Sequence, residues 1–342
     1  MKTVKIICIM IFSAMLLISI APPVSVAAGP IKITYANFPP ASTFPCVQME
    51  RWAKEVEKRT NGKVKIQTFP GGTLLPAKNI FDGVITGTAD IGNFAMSYQP
   101  GRFPVSEAVD LPLGFTSARV ASLVLYDIIE KYRPREFEKV KVLTVFTCPP
   151  ADLMTSKPVR TLRDLKGMEL RSSGTGVDVV KALGGIPIAM PQSDTPEAIQ
   201  KGIVKGVVSS LEVLKDLNYA AYTPYATDAN LFVVTFAVVM NREKWNALPA
   251  DVKKTMEALG REQAEWTGRY VDEHVKEALT WSKQKYNHQL FQLSAADKAD
   301  ISKRVKPIID NYIKRVSGQG IAGTQIIADI QSLKRKYEKT SR

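Results

Sequence analysis

The sequence predicts an α/β protein of two lobes followed by a helical tail. A βαβαβ pattern fills residues 31–96, the same grammar restarts over 140–240, and from Pro249 onward only helical patterns remain. A length of 342 residues suits about two domains.

Ile31–Asn37 (IKITYAN) alternates and is β-prone until Phe38-Pro39-Pro40 breaks it. Ser42 or Thr43 can cap a helix running to Arg59, with Met49, Trp52, Ala53 and Val56 along one face. Asn61-Gly62 ends that helix, Val64–Phe69 reads as the next strand, and Pro70-Gly71-Gly72 turns the chain. Asn79–Thr86 is a short helix and Asp90–Met96 (DIGNFAM) a third strand. This order belongs to a parallel sheet with helices on its faces. The second set opens with the strand Val140–Phe146 and a short helical segment at Thr161–Leu165. A strand at Met168–Arg171, helices at Val177–Leu183 and Thr195–Lys201, and a strand at Gly206–Ser209 follow. Leu231–Met240 (LFVVTFAVVM) is a continuous apolar run, fit for a strand buried on both faces. Pro249 to Tyr286 forms one long helical segment interrupted only by Gly260 and Gly268. Helices over Ala295–Val316 and Thr324–Lys339 complete the tail.

Composition narrows the function. With 45% hydrophobic and 23% charged residues the chain is ordinary globular protein, neither disordered nor collagen-like. Two histidines, His274 and His288, exclude histidine-rich metal sites and leave Ser-His-Asp catalysis improbable. His274 reads as part of a solvated helix face, and His288 sits in the loop-like YNHQ. No GxxxxGK[ST] or GxGxxG motif occurs. No metal or cofactor is expected.

The first residues predict export. Met1–Lys5 carries two lysines, Ile6–Ile20 is apolar, and Ser25-Val26-Ala27-Ala28 supplies small residues. This is the layout of a secretory signal peptide over 1–27, cleaved after Ala27 or Ala28. The run is shorter than the roughly 20 residues of a spanning helix, and no Cys follows it to carry a lipid. Cleavage removes Lys2 and Lys5 from the formal charge of +13, and Cys8 from the three cysteines. An oxidising compartment permits a bridge between Cys46 and Cys148, although two separate thiols are at least as good a reading. Residues 301–342 hold ten Lys or Arg against three acids. That face either solubilises the tail or meets an acidic lipid or protein surface. It lacks the interleaved aromatics of a nucleic-acid site, and no nucleic-acid partner is expected.

Open α/β sheets bind ligands beyond the carboxyl ends of their strands. Those positions hold Asn37 and Phe38, Ser97 and Tyr98, Arg171, and Ser209 and Ser210. The set is polar, aromatic and singly cationic, with no catalytic pair. Arg171 carries the sharpest chemistry, because a guanidinium fork pairs bidentately with a carboxylate. Its alternative is a surface or inter-lobe salt bridge. Phe38 and Tyr98 either pack on a ligand's hydrocarbon part or belong to the core. Ser97 and Ser209 either donate hydroxyls or cap the next helix. Asn37 either bonds the ligand or fixes the loop at Pro39-Pro40, and Asp152 either anchors a ligand group or neutralises Arg171.

Six segments in order resemble a known family. They are VEKRTNGKVKIQTFPGGTL (56–74), GVITGTADIGNF (83–94), DLPLGF (110–115), TSKPVRTLRDLKGMELR (155–171), ALGGIPIAMPQSDTPEAIQKGIVKGVV (182–208) and MNREKWNALPADV (240–252). The chain looks like a DctP-type substrate-binding protein of a TRAP (tripartite ATP-independent periplasmic) transporter. The resemblance implies a two-lobe periplasmic-binding-protein fold with a long helix crossing both lobes. It implies a periplasmic protein that takes an organic acid between the lobes and delivers it to TRAP permease subunits; we expect a monomer and no enzyme. Lobe I is then expected over 28–148 plus about 237–276, and lobe II over 149–236 plus about 277–342. Arg171 matches the family's carboxylate-clamping arginine, and Gln192 stands where a side chain often lies over the ligand. Sialic-acid-type members carry a second arginine where this chain has Ala151, and an Asn where it has Ser209. A small monocarboxylate, aromatic or hydroxylated, therefore fits better than a dicarboxylate or a heavily hydroxylated sugar acid. The rival readings are a protein that presents its ligand to a membrane sensor, or an exported hydrolase.

Overall fold

The computed structural model describes residues 29–340, which form two sheets and their covering helices. The expected leader over 1–27, with its cleavage point, lies outside the described residues. The first sheet contains β1 (Ile31–Asn37), β2 (Val64–Phe69), β3 (Ile91–Ala95), β4 (Val140–Thr147) and β10 (Thr235–Asn241). Their order is β2-β1-β3-β10-β4. The second contains β5 (Asp152–Thr155), β6 (Glu169–Ser172), β7 (Ile186–Ala189), β8 (Gly206–Ser209), β9 (Tyr225–Asp228) and β11 (Gln289–Gln292). Their order is β11-β9-β5-β8-β6-β7.

Neither sheet is wholly parallel, which corrects the expectation from the βαβ grammar. β1 pairs in parallel with β2 and β3, but β10 lies antiparallel between β3 and β4. Likewise β5 runs antiparallel to β8 and β9. Both exceptions are strands that enter a sheet from the other lobe, so they arrive in the opposite direction. The two crossings lie side by side. Cys148 N donates to Val234 O, Ala151 N to Phe232 O, and Leu231 N to Ala151 O. Leu231–Val234, the first part of the apolar run, is this crossing segment rather than strand.

The helices are α1 (Phe44–Arg59), α2 (Ile80–Ile85), α3 (Pro104–Asp110), α4 (Ala118–Tyr132), α5 (Thr175–Ala182), α6 (Thr195–Gln200), α7 (Val213–Asp216), α8 (Arg242–Ala247), α9 (Ala250–Tyr286), α10 (Ala295–Ser317) and α11 (Gly323–Lys339). α9, 37 residues long, spans about 55 Å at 1.5 Å per residue and crosses both lobes. It packs on α1, α4 and β4 in one lobe and on α7 in the other. Gly268 is where α9 presses on another backbone: an added Cβ there meets Arg119 Cα at 2.4 Å. Asp272, four residues on, holds the start of α4, accepting from Ser117 Oγ at 2.6 Å and Ala118 N at 2.7 Å.

α10 also bridges the lobes, with Ile301 and Val305 in the second core and Tyr312 and Val316 in the first. α11 then packs on α3 and α4, placing Ile326, Ile330 and Tyr337 in the first core. The last part of 277–342 therefore lies on the first lobe, whereas the expected division assigns that whole range to the second. Among the described residues no helix is long and apolar enough to cross a membrane.

Candidate functional site

The ends of β6 and β8 in one lobe face the loop after β1 and the turn after β3 in the other. Arg171, third residue of β6, is 3% exposed. Its Nε and Nη2 both donate to Met190 O, at 3.1 and 2.8 Å, which fixes the plane of the guanidinium. It makes no ion pair with any described residue, and Nη1 has no hydrogen bond there. A buried charge without a counter-charge is costly, by several kcal/mol after relaxation. The side chain opens on a cavity of about 70 Å³ between the lobes.

The cavity's apolar wall comes mainly from the first lobe. Phe38 meets Tyr98 edge-on at 5.5 Å and stacks on Phe236 at 6.4 Å, and Phe236 stacks in turn on Phe146 at 5.2 Å. The polar part comes from the second lobe, with Ser173, Gln192, Ser209, Ser210, Glu212 and Asp216. Burial pushes the Glu212 carboxyl up to about 7, while the hydrogen bond from Ser210 opposes the shift.

The two lobes touch across this cavity. Gln192 N donates to Tyr98 Oη at 2.9 Å, and Phe44 N at the start of α1 donates to Asp216 Oδ2 at 3.3 Å. Gly174, at φ +53°, sits so close to Ser97 that a Cβ would come within 2.6 Å of the serine Cβ. Asp216 Oδ1 also bonds His274 Nε2 at 2.6 Å, so one carboxylate ties α7, α9 and α1 together. His274 is therefore 7% exposed and ion-paired, a correction to its reading as a solvated face. The hydrogen bond to Asp216 is the main cause of its raised pKa.

Phe38, Tyr98, Arg171, Gln192 and Ser209 line the cavity together. Asn37 and Ser97 do not. Asn37 is fully buried, its Nδ2 donating to Pro45 O and its Oδ1 accepting from Asn93, so it fixes the loop. Ser97 faces a wider hollow of about 460 Å³ beyond Tyr98. That hollow contains the carboxylates of Glu107 and Asp110, which suit an anion poorly. Asp152 neither faces the cavity nor neutralises Arg171: its Oδ1 accepts from Ala229 N and Asn230 N. Glu212 and Asp216 are cavity groups that sequence reasoning missed. In SSLEVLKD they look like ordinary helix-start acids, and no signal in that segment marks them as buried. Cys46 and Cys148 are separate buried thiols. Among the described residues no group of three or more His, Cys, Asp or Glu is placed to hold a metal.

Comparison with known proteins identifies the family of the fold. The model of the bacterial extracellular solute-binding protein family 7, DctP, matches residues 35–315. The C4-dicarboxylate-binding periplasmic protein DctP of Rhodobacter capsulatus is 22% identical over 313 residues, covering 90% of this chain and 94% of that protein. A TRAP periplasmic solute-binding protein from Desulfovibrio salexigens, solved as an open complex, is 52% identical with a TM-score of 0.83. The alignment covers 91% of this chain and 97% of that one. Another from Bordetella bronchiseptica, with (R)- and (S)-mandelate bound, is 27% identical with a TM-score of 0.84, over 90% and 100% of the two chains. A family match over most of the sequence, two lobes closing on a buried arginine, and a structural relative identical at half its positions lead to one conclusion. The chain belongs to the DctP family of extracellular solute-binding proteins, the ligand receptors of TRAP transporters.

Proposed function

We propose that this receptor captures a small monocarboxylate, aromatic or hydroxylated, and hands it to the membrane subunits of a TRAP permease. The carrying observation is Arg171, a buried guanidinium without a counter-ion among the described residues, facing the cavity between the lobes. A ligand carboxylate supplies that missing charge, and the two lobes close over it, excluding water and strengthening the pair. Each charge-assisted hydrogen bond contributes about 1.5–3 kcal/mol. The aromatic wall of Phe38, Tyr98 and Phe236 suits the ligand's hydrocarbon part.

A dicarboxylate fits less well. Arg171 is the one cationic side chain lining the cavity among the described residues, and Glu212 and Asp216 line it too. A second carboxylate would meet like charge. Export to the periplasm follows on this reading from the leader over 1–27, cut after Ala27 or Ala28. The permease recognises the closed form, and the protein performs no chemistry on its cargo.

Matched acids test the reading. Thermal unfolding of residues 29–342 is followed with butyrate against succinate and benzoate against phthalate. A ligand at 1,000 times its Kd stabilises by about 4 kcal/mol, so a monocarboxylate of the correct class raises the midpoint by several degrees. A larger rise with the dicarboxylate of each pair would refute it.

A further inference from the structure

Glu212 stands one residue before α7 and lines the same cavity as Arg171. It is 2% exposed and forms no ion pair with a described residue. Its Oε1 accepts from Ser210 Oγ at 2.6 Å, while Oε2, equally buried, has no hydrogen-bond partner. Buried carboxyl oxygens are normally satisfied, so an orphan beside a ligand cavity is itself a recognition signal. The neighbouring acid cannot share the task, because Asp216 is already bonded to His274 and Phe44.

We propose that Glu212 is a second recognition group of this cleft, bonding through Oε2 to a hydroxyl of the ligand whose carboxylate Arg171 holds. The cargo is then a hydroxylated monocarboxylate, an assignment that rests on the carboxylate reading above. A hydroxyl meets Oε2 in either protonation state, donating to the anion or accepting from the acid. An ammonium requires the anion alone, which burial disfavours. Where a site is built to bond a hydroxyl, an analogue without one leaves the buried oxygen unpaired and is rejected.

The test compares hydroxylated acids with their parents by isothermal titration calorimetry. The pairs are 3-hydroxybenzoate with benzoate, mandelate with phenylacetate, and 3-hydroxybutyrate with butyrate. In the unmodified protein the hydroxylated member of at least one pair binds about 10- to 100-fold more tightly. In Glu212→Met, of similar size without the carboxyl, that preference falls to within about threefold. The parent acid's affinity changes little. The comparison in the unmodified protein needs no variant, so a misfolded Glu212→Met leaves the test intact. Acids that bind with no hydroxyl preference in any pair, or a preference that survives Glu212→Met, overturn this proposal alone. Failure of every acid to bind overturns the carboxylate reading along with it.

Discussion

At the scale of single residues, three buried ionisable groups line the cleft and each is handled differently. Arg171 donates to Met190 O and has no ion pair with a described residue, Glu212 has half its carboxyl committed to Ser210, and Asp216 is paired with His274. The pair has a pH signature. The hydrogen bond to Asp216 raises the folded-state pKa of His274 above its unfolded value of about 6.5. The folded protein therefore holds a proton that the unfolded chain gives up. That contribution is complete below the unfolded pKa and is lost as pH rises through the higher folded value. Melting midpoints of the protein and of His274→Gln, measured from pH 6 to pH 9, should draw together as pH rises; a gap constant across that range would remove the ion pair from the account. Arg171 was legible in the sequence because it ends a strand before small residues. His274 was not, because its partner lies 58 residues upstream on another element and its own neighbours are charged. Glu212 was hidden in the same way, since burial of a helix-start acid is decided by the opposite lobe.

At the scale of elements, local pattern carried far where strands and helices meet one layer. Ile31–Asn37, Val64–Phe69 and Gly206–Ser209 appear in the structure at the expected residues, and Ala250–Tyr286 starts one residue after the expected Pro249. The missed elements include one long helix, α4 with 15 residues, along with α3, α7, α8 and β7. β5, β9 and β11 have four residues each, too few for a periodicity to declare itself. The apolar run Leu231–Met240 divides between an inter-lobe crossing and β10, because apolar burial looks alike in both settings. Contacts between distant elements leave no periodic trace either, and the hold of α9 on α4 is one. Thr43 caps no helix with its side chain, but Asp272 reaches from α9 to the unsatisfied amides at the start of α4. Asp272→Ala should destabilise the protein by about 0.5–2 kcal/mol, the usual cost of a lost helix cap. Urea unfolding measures it, and an unchanged midpoint would mean that the amides find other partners.

At the scale of the molecule, two lobes joined by paired crossing strands and by α9 and α10 meet at a cavity lined by one cation among the described residues. Direct hydrogen bonds between the lobes across this cavity join Tyr98 with Gln192 and Asp216 with Phe44. A ligand that bonds both lobes can therefore bias the opening equilibrium by its differential affinity for the closed form. The two-lobe plan, the crossing helix and the place of Arg171 at the cleft were all in the sequence. The antiparallel crossings and the return of α11 to the first lobe were not, since both are set by where the chain arrives from. The central claim is that Arg171 is buried to meet a carboxylate, and calorimetric titration of Arg171→Ala tests it directly. With whichever monocarboxylate stabilises the unmodified protein most, affinity should fall by about 100-fold or more, as when one partner of a buried ion pair is removed. The unliganded variant should melt no lower than the unmodified protein, because an uncompensated charge has gone. An affinity within threefold of the original would contradict the account.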